Sequence, residues 1–289
     1  METENSLVHL IYVPFRGVGI DLRNDKWFYE RIEIFSRFTL QSLRKQTNQN
    51  FIVWLSFREQ DESNPLVGVI ARRLEEAKIR YVMTFNGLMY YDDKFSDDIQ
   101  SKIMNILRIV RRCWKIKNWD DFLPSLRAIK LNKNHTLQSR LSKSLAILKH
   151  YFQEADWVYV SRIDSDDMFN EDFVETVQGY APFFGALICG KGLIYNSTTK
   201  ELAEWNPTTN PPFHTIIFPS ESFFDTELHL RCMRDFRSHE DIPKIFGTYT
   251  LPDFMYCVTT HDPKNHISTN FTHSFKGDII SNSILNKFI

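Results

Sequence analysis

A chain of 289 residues, 43% of them hydrophobic, can bury a full α/β core without covalent staples. The four cysteines (Cys113, Cys189, Cys232 and Cys257) lie far apart with no CxxC pair, so they spell neither a zinc knuckle nor a disulfide framework, and reduced thiols are expected. The net charge of −1 argues against a protein that coats nucleic acid, and no stretch reaches the ~18 apolar residues of a membrane span.

In chain order, the start Met-Glu-Thr-Glu-Asn is acidic where an export signal would be basic and then apolar, so a cytoplasmic protein is expected. Residues 8–15 (VHLIYVPF) read as a buried strand that Arg16-Gly17 breaks. A helix follows, capped by Asn24 or Asp25, with Phe28, Ile32, Phe35 and Phe38 at helical spacing as far as about Lys45. Residues 51–57 give a second strand, about 65–78 a helix, and 79–85 a third strand, and this alternation implies a mainly parallel sheet. From about 97 to 152 the pattern is helical, with Ile99, Ile103, Leu107 and Val110 on one face and Leu137, Leu141, Leu145, Leu148 and Phe152 on another. Residues 101–150 carry 12 Lys+Arg against 2 Asp+Glu, which suggests either a local anionic partner or a solvated helix face. A fourth strand, 157–163, is followed by a helix start near Asn170. Beyond 183, short apolar strands (ALICG, HTIIF, YTLP) alternate with Pro-rich loops.

The fourth strand runs directly into Asp164, Asp166 and Asp167. In open α/β sheets ligands sit beyond the carboxyl ends of the strands, so these acids are delivered to the expected crevice. Three carboxylates this close repel one another, and a hard divalent cation (Mg2+ or Mn2+) relieves the conflict while neutralising a bound diphosphate. The alternative is a capped, solvated turn. Phosphatases and nucleotidyltransferases also place paired aspartates at strand ends, so the acids by themselves speak for metal and phosphate and not for a particular reaction.

The segments LIYVPFR, WFYERIEIFSRFTLQSLRKQTNQNFIVWLSF, SRIDSDDMF and NPPFHTI, in that order, resemble a bacterial rhamnosyltransferase family, a branch of the GT-A glycosyltransferases. The resemblance covers about three quarters of the chain and is weakest over residues 86–135. It implies a GT-A type, Rossmann-like α/β fold, with residues 1–169 binding a nucleotide-diphospho-sugar and 170–289 forming a less regular acceptor half of the same domain. Asp164 and Asp166 would be the DxD acids, one touching ribose or metal and the other ligating metal. Arg162 would reach phosphate or pair with a neighbouring acid, and Arg16 would begin the nucleotide pocket. Many GT-A enzymes hold the base with an acid after the second strand; Ser56-Phe57-Arg58-Glu59 stands there instead, so the base is left unnamed.

The resemblance extends to Ser238-His239-Glu240-Asp241, which matches the Glu-Asp motif that supplies the base in inverting members. Asp241 is the expected base and Glu240 its neighbour; a helix N-cap is the competing role. A late histidine, His261 ahead of His266, would be an extra metal ligand. His135, His214 and His273 lack a matching context. Trp205, Phe213, Phe218, Phe223 and Phe224 would offer rings to a sugar, although most must be core. The activity implied is metal-dependent transfer of a sugar, rhamnose among the candidates, to a glycan or lipid-linked acceptor, with inversion. A nucleotidyltransferase and a non-catalytic binding protein of the same fold are the alternatives, and contact with an anionic membrane surface is a further expectation.

Overall fold

The computed structural model describes residues 6–15, 25–58, 61–85, 137–152, 154–209, 211–235, 239–261, 271 and 275–289, together with positions 103, 106, 107, 110, 111, 114, 119 and 123. Four strands realise the apolar runs: β1 (Leu7–Pro14), β2 (Ile52–Ser56), β3 (Tyr81–Thr84) and β4 (Trp157–Arg162). All four are parallel, β1 lying between β2 and β4. Their near-continuous apolar character fits strands buried on both faces. Side chains of β1 alternate between layers: Ile11 and Val13 join one core, Leu10 and Tyr12 the other.

The first layer is covered by α1 (Asp25–Arg37), α2 (Thr39–Arg44) and α3 (Pro65–Glu76). The helix expected to run unbroken to Lys45 divides at Phe38 (φ −116°, ψ −73°), which turns its ring into a third apolar cluster. Asn64 caps α3, its side chain accepting the Leu66 N–H, with Pro65 in the first turn. The opposite layer holds α4 (Leu137–Tyr151), where Leu141, Leu145 and Leu148 are buried as their spacing predicts. Ile103 and Leu107, assigned to a common apolar face, are instead exposed. Among the described residues, no helix is long and apolar enough to cross a membrane.

Two short elements follow β4: β5 (Met168–Phe169) and α5 (Phe173–Gln178). Next come β6 (Gly185–Ile188), β7 (Gly192–Asn196), β8 (Leu202–Trp205) and β9 (His214–Pro219). Helices α6 (Ser220–Phe223), α7 (Thr226–Asp235) and α8 (Ile242–Ile245) precede β10 (Thr248–Thr250), β11 (Tyr256–Thr260) and β12 (Lys276–Ile280). The main sheet has the order β10-β6-β9-β4-β1-β2-β3. Strand β9 lies antiparallel between β4 and β6, and β10 is parallel to β6. Thus the fold is α/β, a mainly parallel sheet with helices on both faces, and residues beyond 170 supply three of its strands. A second sheet, β12-β8-β7-β11-β5, packs one face onto the first core through Ile194, Ala203, Tyr256 and Val258.

Candidate functional site

Strand order turns back at β1, which has β2 and β3 on one side and β4 on the other. Such a reversal opens a crevice at the carboxyl ends of the strands. Ile163 anchors the end of β4 in the core, and the chain then crosses to the second sheet through a turn in which the Asp167 N–H bonds the Asp164 carbonyl at 3.2 Å. The acidic cluster therefore occupies the connection between the two sheets. Helix α2 and the turn after it hold that connection with polar side chains. Thr39 Oγ1 donates to the Asp164 carbonyl at 3.5 Å, Ser42 Oγ accepts the Phe169 N–H at 3.3 Å, and Gln46 Nε2 donates to the Asn170 carbonyl at 2.7 Å.

Each carboxylate has a different partner. Asp164, the most open of the three at 37% side-chain exposure, pairs with Arg162 at 2.9 Å, and Arg162 also donates to the Pro212 carbonyl at 3.4 Å. Asp166 pairs with Arg31 of α1 at 2.6 Å, both side chains buried. Asp167 accepts the backbone N–H of Thr259, on β11, at 2.8 Å. Burial, followed by the charges of Asp166 and Asp164, pushes the Asp167 carboxyl well above the usual carboxylate range, against the opposing pull of the Thr259 N–H and Arg31. Three acids thus share two guanidinium groups, and Asp167 is driven toward its protonated form.

His261 follows β11 and lies against the Phe38 ring, centroids 5.2 Å apart. Its Nδ1 bonds Ser197 Oγ at 3.0 Å, while its buried Nε2 has no hydrogen-bond partner among the described residues. Burial, then the guanidinium groups of Arg31 and Arg37, lowers its pKa to about 3, so the ring is neutral at physiological pH. Thr259 Oγ1 is likewise buried with no hydrogen-bond partner among the described residues. Hard carboxylate oxygens and a neutral imidazole nitrogen are chemically suited to Mn2+ or Mg2+. Yet among the described residues no three of these donors lie close enough to share an ion. Asp164 and Asp166 are each engaged by an arginine.

The His239-Glu240-Asp241 segment forms a 3-10 turn that leads into α8, anchored by buried Ile242. Asp241 is largely buried and Glu240 is exposed. Asp241 occupies the N-cap position, but its carboxylate makes no capping bond there; it pairs with Lys244 Nζ at 2.5 Å. His214, opposite Arg162 in the β4–β9 register, feels the charges of both Arg162 and His239. The turn carrying Asp241 therefore lies at the same sheet edge as Arg162.

Arg16, His266, His135 and His273 lie outside the described residues, as do Lys102, Arg108, Arg112, Lys115 and Lys117 of the basic stretch. Trp205, Phe213, Phe218 and Phe223 prove to be core, Phe213 stacking on Tyr256 at 4.1 Å, so they offer no open floor for a sugar. Three groups went unnoticed in the sequence, Arg31, Arg37 and the Thr259 backbone, and His214 offered no matching context there. Arg31 did carry a signal, since a charge between Phe28, Ile32 and Phe35 sits on the core face of its helix.

No family model matches the sequence, and no curated protein matches it. S. aureus TarS, a crystal structure, is similar over 90% of this chain at 13% identity with a TM-score of 0.38, and the chain spans only 38% of TarS. The inositol-1-phosphate CTP transferase from T. maritima is similar over 92% of this chain and 94% of its own, at 8% identity and a TM-score of 0.34. Likenesses this remote carry no functional argument, and the chemistry has to be read from the chain's own residues.

Proposed function

We propose that the chain transfers a sugar from a nucleotide-diphospho-sugar to a glycan or lipid-linked acceptor, with a divalent cation held by Asp164 and Asp166 and completed by His261. The observation that supports this reading is the carboxylate cluster itself, set beyond a parallel strand at the reversal of strand order, with one acid too many for its two arginines. When bound, the cation would supply charge for the departing diphosphate. The protein does the rest. Asp164, at the mouth, meets the donor first; Arg162 is fixed beside it and offers N–H groups to phosphate oxygens. His261 brings a neutral nitrogen from the far side, supported by Ser197. Asp241, at the same sheet edge, takes the acceptor proton on its carboxylate, and removal of that proton from the face opposite the diphosphate gives inversion. A lipid-linked acceptor would bring the chain to an anionic membrane surface, the partner that suits the basic stretch 101–150.

Calorimetric titration of a series of nucleoside diphosphates, with and without Mn2+, tests the donor site. Binding should require Mn2+ and vanish in Asp166→Ala, measured on protein that circular dichroism shows to be folded, because loss of Asp166 leaves the buried Arg31 guanidinium without its partner and lowers stability. Unchanged Mn2+-dependent affinity in Asp166→Ala would refute the assignment, and release of pyrophosphate from a nucleoside triphosphate would indicate nucleotidyl transfer instead. For the base, Asp241→Asn should lower turnover by a factor of about 10² or more with donor binding nearly unaltered. A product whose anomeric configuration, read from NMR couplings, matches that of the donor would rule out the inverting role.

A further inference from the structure

Arg31 is the charge hardest to explain by folding alone. It lies on the apolar face of α1 among Phe28, Ile32 and Phe35, all fully buried, and is itself only 7% exposed. Its guanidinium stands 5.1 Å from the Trp27 ring and pairs with Asp166 at 2.6 Å. A buried ion pair seldom outperforms apolar residues of the same shape as a source of stability. Its charge also reaches Asp167 and His261, the other two sides of the site. The acids and the histidine nitrogen are present, yet among the described residues they do not converge, and Asp166 is committed to Arg31.

We infer that Arg31 is a resident counterion that occupies Asp166 in place of the cation, and that it exchanges this carboxylate for a diphosphate oxygen when the donor binds. The inference rests on the donor site proposed above. A guanidinium and a divalent cation on one buried carboxylate repel each other, so each weakens the other's hold and they compete for Asp166. Arg31 then has two roles. It keeps three neighbouring acids from repelling one another in the resting protein, and it provides a buried donor suited to bidentate phosphate recognition once Asp166 is taken. Metal and nucleotide are thereby coupled: nucleotide gives Arg31 somewhere to go, and so helps open Asp166.

The test is titration of nucleotide-free protein with Mn2+, followed by electron paramagnetic resonance of the unbound ion, in wild type, Arg31→Gln and Arg31→Met. The methionine variant suits the apolar face and guards against a simple folding defect. Apparent affinity equals intrinsic affinity scaled by the fraction of molecules with Asp166 available. Both variants should therefore bind Mn2+ alone about tenfold or more tightly than wild type, and bind a nucleoside diphosphate at saturating Mn2+ about tenfold less tightly. Folded variants with wild-type or weaker affinity for Mn2+ alone would overturn the exchange while leaving the metal site standing. Absence of Mn2+ binding in every protein, even with nucleoside diphosphate present, would overturn the metal site and the exchange together.

Discussion

His9, Ser161 and Thr215 form a polar line through the apolar layer of the main sheet: His9 Nε2 to Ser161 Oγ at 2.7 Å, and Ser161 Oγ to Thr215 Oγ1 at 2.6 Å. Gln178 of α5 reaches the other ring nitrogen of His9 at 3.1 Å. Burial lowers the pKa of His9 to about 3, and burial lowers that of His229 to about 4. Groups held below their unfolded value give stability that is complete above about pH 6.5 and is lost as pH falls toward the folded pKa. Asp167 acts in the opposite sense, since its raised pKa costs stability once pH exceeds the ordinary carboxylate range. The histidines are the more numerous, so the urea midpoint should fall between pH 7 and pH 5, each buried histidine contributing up to about 2 kcal/mol to the loss. Replacing His9 with Gln should flatten the decline by about that amount; an unaltered slope would show that His9 does not titrate on unfolding. At this scale the acids were legible because a strand ended on them. The Asp167 bond to the Thr259 N–H was not, because a backbone donor 92 residues away has no side-chain signature.

Strands β1 to β4 were read to within a residue or two, since they are apolar runs bounded by polar turns. The second sheet was harder. Strand β5 has two residues, and β12 meets β8 through a register shift between Lys276 and Ile279, so neither shows a period long enough to detect. Strand β9 was recognised as a strand, but nothing local marks it as antiparallel within the main sheet. Glycines show how tightly the second sheet is packed. A Cβ on Gly192 of β7 would come 2.3 Å from the Tyr256 ring, which is stacked on Phe213 and hydrogen-bonded to the Gly190 carbonyl. Gly192→Ala should therefore destabilise by about 1–3 kcal/mol. Gly68, inside α3, would place a methyl in open space, and Gly68→Ala should stabilise by about 0.5–1 kcal/mol. Chemical denaturation of the two variants checks the pair, and a Gly192→Ala protein as stable as wild type would mean that the Tyr256 ring shifts freely.

Across the whole molecule, the acidic turn is where two sheets meet, and it is completed from distant parts of the chain. Arg31 comes from the first helix, Arg162 from the central strand, and the Thr259 N–H and His261 from the penultimate strand. The bond from Thr259 to Asp167 has a consequence for the order in which the protein is made. Chains emerge from the ribosome at about 5–20 residues per second, so Asp167 waits on the order of ten seconds for its partner. During that interval β4 can pair with β1, but the acids have no closing wall and remain open to water. A chain interrupted between Asp167 and Thr259 carries the entire acidic motif and lacks a finished site. A stretch synthesised later thus decides when chemistry made earlier can begin.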